Sequence, residues 1–157
     1  MQQHATITQP GFIHDDSLKS ARRPRGRPIH GILVSFSAAY FVGALATDLA
    51  YWQMLDVLWE RFSIWLIVAG LVMAGLATIA YAIELASGTR IDRPAWPRVV
   101  GYALAVLLAL TNAFIHSRDG YTAVVPTGLM LSTLVVAVLV LTAVLARVLT
   151  NRHRFGA

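Results

Sequence analysis

The chain is 157 residues long, 57 % hydrophobic and only 13 % charged, with a mean hydropathy of +0.62; a soluble domain runs at about 45–50 % apolar and about 25 % charged. A chain this short cannot fold that much apolar surface away from water, so lipid is the solvent for most of it. The formal charge is +5 and there is no cysteine, which excludes disulfides, thiolate metal sites and a cysteine nucleophile.

Residues 1–28 are polar and hold the run Arg22-Arg23-Pro24-Arg25-Gly26-Arg27. They read as a disordered basic tail, because nothing apolar in them offsets the entropy of ordering. No apolar stretch near Met1 has the form of a secretory signal. Four apolar segments follow, at 29–52, 62–85, 99–116 and 125–149. Each is close to the ~20 residues that cross ~30 Å of hydrocarbon. Backbone groups in lipid must be satisfied within the segment, so these are helices. The linkers between them are short, which makes neighbouring helices antiparallel. The expected fold is an all-α integral membrane protein, an up-down four-helix bundle over 29–149 with a C-terminal tail at 150–157.

Lysine and arginine are divided unevenly between the two sides. Lys19, Arg22, Arg23, Arg25, Arg27, Arg90, Arg93, Arg98, Arg147, Arg152 and Arg154 fall on one side, against Arg61 and Arg118 on the other. Eleven against two places both termini in the cytoplasm and accounts for the basic excess without nucleic acid. Trp52, Trp59 and Tyr121 fit an outer aromatic belt and Trp96 an inner one. In a chain with no native cysteine, Gly120→Cys is expected to react with a periplasmic thiol reagent and Gly88→Cys is not. The reverse labelling pattern overturns the orientation. Small residues recur at helical spacing in Ala39, Gly43 and Thr47, in Ala74, Thr78 and Ala82, and in Gly101, Ala105, Ala109 and Ala113. Such stripes let helix backbones approach closely in lipid, and they leave assembly into an oligomer open.

Counting depth from the linkers groups the polar residues. His30 and Glu84 reach one inner level, as a polar pair. Asp48 and Asn112 reach one outer level, and His116 shares the face of Asn112 one turn on. Arg118, Asp119 and Trp52 lie at the same end, so the outer cluster comprises Asp48, Trp52, Asn112, His116, Arg118 and Asp119. For Asp48 the candidate partners are Asn112, His116 and Arg118. An ionisable group at membrane depth marks a functional site unless it is locked in a structural pair, and both readings stand for this cluster. A quinone fits it, with His116 as donor and Trp52 as an aromatic wall. Haem b needs two histidines facing each other at one depth, whereas His30 and His116 fall at opposite ends. The midplane offers hydroxyls only, which disfavours an ion pathway, and Ser117 beside His116 is a sequence neighbour rather than a catalytic pair.

Several stretches resemble a bacterial membrane family, domain of unknown function 2231. They are 27–37, Gly43, Asp48-Leu49-Ala50-Tyr51-Trp52, Phe62-Ser63-Ile64-Trp65-Leu66, Ala69-Gly70-Leu71-Val72-Met73, and Asn112-Ala113-Phe114-Ile115-His116-Ser117-Arg118-Asp119-Gly120-Tyr121. The family's first helix opens with His-Pro and continues to His-Phe-Pro. Here His30 is kept, while Gly31, Ser35 and Ser37 replace the other positions. The resemblance implies a multi-pass protein of the bacterial inner membrane near respiratory electron transfer. Asp48, Asn112, His116 and Arg118 are the matching polar positions. The expected role is an accessory or anchor subunit that meets a quinone or a periplasmic redox protein. A haem-b electron carrier with His30 or His116 as ligand, and a purely structural membrane protein, are the alternatives.

Overall fold

The computed structural model describes residues 29–87, 96–118 and 124–155. Four helices carry them: α1 (Ile29–Met54), α2 (Val57–Ala86), α3 (Trp96–Arg118) and α4 (Leu129–Phe155). With 26, 30, 23 and 27 residues they are about 35–45 Å long at 1.5 Å per residue, and all four are long and apolar enough to cross a membrane. The tail 1–28, Asp119, Tyr121 and the side chains of Arg118 and of 150–155 lie outside the described residues.

The helix boundaries differ from the sequence reading in ways that capping explains. The linker read at 53–61 shrinks to Leu55 and Asp56. Asp56 is the N-cap of α2, its carboxylate accepting the Leu58 N–H at 2.9 Å, so α2 starts at Val57 rather than Phe62. Leu55 reverses the chain at φ 53°, and its N–H donates to the Tyr51 carbonyl at 2.8 Å, closing α1. That left-handed position is one usually held by glycine. At the other end, the apolar span ends at Leu149 as read, and α4 continues beyond it to Phe155. No glycine or proline interrupts it before Gly156. The turn Val124–Gly128 precedes α4, with Val125 extended and a cis bond to Pro126.

Contacts between the helices run in opposite order along each neighbouring pair. His30 meets Glu84, Ser37 meets Gly70, and Ser63 meets Ala44, so α1 and α2 are antiparallel. Gly101 approaches Thr142 and Asn112 approaches Ser132, so α3 and α4 are as well. The α1–α2 hairpin is the more closely packed of the two; α1 also lies against α4, and α2 against α3.

A single spacing sets the seam. The buried residues are Ser37, Phe41, Ala44, Asp48 and Tyr51 on α1, and Glu60, Ser63, Ile67, Gly70, Ala74 and Ala77 on α2. On α3 they are Ala105, Ala109, Asn112 and His116, and on α4 Ser132, Val135 and Ala146. Steps of three and four alternate along α1, α2 and α3, the 3.5-residue repeat that keeps one face turned to a common axis. The stripes read from small residues alone are corrected by this seam. Ala39 and Ala82 are exposed and Gly43 and Thr47 only partly covered, whereas Gly101, Ala105 and Ala109 do face the bundle. Phe41 rather than a small residue enters the α1–α2 contact, because Gly70 opposite leaves room for its ring.

Composition is inverted relative to a water-soluble core. Serine, aspartate, glutamate, asparagine and histidine lie inside, while large apolar side chains such as Trp65 (72 % exposed) and Leu107 (61 %) point outward. Lipid stabilises the outer surface as well as a core would, so association rests on packing and internal hydrogen bonds.

Candidate functional site: two polar clusters at opposite ends of the bundle

The first cluster closes the end where α1 begins and α2 finishes. His30 Nδ1 lies 2.5 Å from Glu84 Oε2, and the His30 backbone N–H donates to Glu84 Oε1 at 3.4 Å. Glu84 therefore occupies part of the unsatisfied donor set at the start of α1, where the helix dipole also favours an anion. The edge of the His30 ring meets Tyr81, with centroids 5.1 Å apart at 73°. Both polar side chains stay 16 % exposed, at the rim of the bundle.

The second cluster is fully enclosed. Asp48 on α1 has no exposed surface, and both of its oxygens are taken by the other hairpin. Ser132 Oγ on α4 donates to Oδ2, and His116 Nε2 on α3 lies 3.3 Å from Oδ1. Asn112 Nδ2 donates to Ser132 Oγ at 2.7 Å, which leaves the serine hydroxyl proton for the carboxylate. His116 Nδ1 lies 3.0 Å from the Asn112 carbonyl. A carbonyl only accepts, so Nδ1 carries a proton. Asn112 Oδ1 is buried with no hydrogen-bond partner.

Of the outer residues named from the sequence, the structure brings together Asp48, Asn112 and His116. Trp52 is 55 % exposed, outside the enclosed cluster. Asp119 and the Arg118 side chain lie outside the described residues. Ser132 and Glu60 complete the site and were missed. Glu60, 8 % exposed on the first turn of α2, is buried at the Asp48 end of the bundle, one turn before Ser63, which meets Ala44. Both sit on the alternating three-four seam, the one signal from which they could have been read.

Gly128 holds the imidazole in place. A Cβ built there would stand 2.8 Å from His116 Cε1 and 3.4 Å from each ring nitrogen. The ring is fixed at both nitrogens and cannot yield without breaking a contact. Gly128→Ala is expected to cost about 1–3 kcal/mol through overpacking and to shift the His116 ring resonances. Unchanged resonances with unchanged stability would show that the ring moves freely.

The chemistry open to this arrangement is narrow. A serine nucleophile needs its hydroxyl on the base, but Ser132 Oγ–H points at Asp48 rather than at His116. A bis-histidine haem needs ring nitrogens free to bind iron at one depth. His116 has both ring nitrogens engaged and His30 stands at the opposite end of the bundle, so these residues do not fit that group within one chain. Among the described residues no set of three histidine or acidic side chains is arranged to hold a metal ion.

The chain belongs to the family described as "Predicted membrane protein (DUF2231)", whose model matches residues 26–157. No curated protein and no solved structure matches it significantly.

Proposed function

For this member of the DUF2231 family we propose the role of an accessory or anchor subunit of the bacterial inner membrane, with both termini cytoplasmic, serving a quinone-linked or periplasmic redox partner. The observation that carries the non-catalytic part of this reading is the mutual satisfaction of the enclosed cluster. The Asp48 carboxylate and both His116 ring nitrogens are committed to one another or to neighbouring groups, which suits a group that fixes helices more than one that turns over substrate. The side is argued from the eleven-to-two division of basic residues. The partner is argued from family resemblance and from Trp52, whose exposed ring lies one residue beyond buried Tyr51 at the Asp48 end, as residues that meet a headgroup-level partner do.

A photocrosslinking residue at Trp52 in native membranes tests this. Adducts to a polypeptide of a quinone-linked dehydrogenase or a periplasmic redox protein are expected. Adducts to lipid and to second copies alone overturn the accessory role and leave a purely structural membrane protein.

A further inference from the structure

The enclosed cluster contains one atom that the packing described so far does not use. Asn112 is 1 % exposed, and its Oδ1 is an acceptor without a donor. Hydrogen bonds around it run in one direction, from Asn112 Nδ2 to Ser132 Oγ and from Ser132 Oγ to Asp48 Oδ2. A hydroxyl both donates and accepts, and an amide exposes a donor or an acceptor on turning by half a rotation. The same three side chains therefore support the opposite direction. Asp48 Oδ2–H would donate to Ser132, and Ser132 to Asn112 Oδ1. Heavy-atom positions and the number of hydrogen bonds are conserved between the two arrangements.

We propose that Asp48 is a proton-binding site whose loading reverses the Asp48–Ser132–Asn112 hydrogen-bond chain, with the Asn112 amide turning so that Oδ1 becomes the acceptor for Ser132. The proton passes from hydronium to Asp48 Oδ2 and leaves a water molecule; no electrons move. The titratable groups buried at this end are Asp48 and Tyr51 on α1, Glu60 on α2 and His116 on α3; Ser132 of α4 donates to Asp48, and Gly128 of the preceding turn lies against the imidazole. His116 is set between two acceptors, the Asn112 carbonyl and Asp48, and as imidazolium it donates to both. Loading Asp48 then leaves one cation, His116, beside one anion, Glu60. The enclosed site ends without net charge, the condition that burial favours. Glu60 is in this way the balancing charge. The inference does not depend on the accessory role proposed above.

The sequence supplies a clean reporter, because the chain has two asparagines, Asn112 and Asn151. In full-length protein with amide-labelled asparagine in bilayers, acidification is expected to move the Asn112 side-chain resonance. A carboxylic-acid stretching band should appear in the infrared spectrum over the same pH range. Asp48→Asn removes that band, and Glu60→Gln reduces its amplitude. Ser132→Ala leaves the carboxyl and the imidazole in place but cuts the relay, so the Asn112 response is lost. Where Asp48→Asn fails to insert, the comparison of the unmodified chain with Ser132→Ala decides alone. An Asn112 resonance that stays fixed on acidification, or one that still responds in Ser132→Ala, overturns the proposal.

Discussion

Asp48→Ala is expected to lower the stability of the bundle by about 3–5 kcal/mol, the cost of leaving one member of a buried charged pair without its partner. The competing magnitude is smaller. A hydrogen bond between membrane helices is worth about 0.6 kcal/mol on average and about 1.7 kcal/mol at most. Reversible unfolding in mixed micelles with increasing sodium dodecyl sulfate separates the two. A loss below about 2 kcal/mol would mean that the site holds an ordinary hydrogen bond and no charged pair. A double-mutant cycle with His116→Ala measures the same pair from the other side. With the imidazole gone the carboxylate keeps Ser132 but loses its counter-charge, so each single change is expensive, while the double variant removes both charges and should cost less than the two losses added. Asp48→Asn keeps an acceptor for Ser132 and the same side-chain shape, so it is expected to insert and to lose less. Because Asp48 binds both His116 and Ser132 across the bundle, the loss should appear as separation of the hairpins while the α1–α2 hairpin stays paired.

Gly70→Ala is expected to be the most damaging change of a single methyl in the α1–α2 hairpin. A Cβ there would stand 2.6 Å from Phe41 Cε1 and 2.8 Å from Cδ1, and Phe41 is only 2 % exposed. The ring has nowhere to swing, since it also packs with Ala105, Ala109 and Val135 of the facing hairpin. The Gly70 carbonyl accepts the Ser37 hydroxyl at 2.8 Å, so pushing the helices apart loses that bond as well. Overpacking of this kind costs about 1–3 kcal/mol and occasionally more. Phe41→Leu in the same chain removes the ring and should restore part of the loss. Equal destabilisation with and without the Phe41 change would place the damage elsewhere.

Gly70 also shows where the sequence stops being legible. Four spans could be read from hydropathy alone, because lipid leaves the backbone few alternatives. The α1–α2 corner could not, since Asp56 reads as a loop residue until its capping bond to Leu58 is seen. Small-residue spacing also pointed α1 toward Ala39 instead of the seam through Phe41, because in lipid a large side chain can enter a contact when a glycine opposite receives it. Levels were countable from the linkers, which is why His30 and Glu84, and Asp48, Asn112 and His116, could be grouped at all. Ser132 escaped because a serine in a span passes for a neutral filler, bonded to its own helix. Glu60 escaped because it falls in what looked like a linker. Partner choice is a three-dimensional matter: of the candidates for Asp48, His116 touches it, and Asn112 reaches it through Ser132.

The separation in sequence between Asp48 and Ser132, 84 positions, has a consequence for how the protein is made. Ribosomes add about 5–20 residues per second, so Asp48 is synthesised about 4–17 s before the serine that binds it exists. Until α3 has been made as far as His116, 68 positions on, α1 carries a carboxylate with neither of its eventual donors, at an insertion cost of about 2.5–3.5 kcal/mol for an acidic group at mid-helix and less toward the end. The α1–α2 hairpin has its own contacts, including Ser37 with Gly70 and His30 with Glu84, so it can hold its shape while it waits. Biogenesis therefore passes through a half-built membrane protein with one open acidic socket, and a ribosome stalled before α4 would hand that intermediate to quality control.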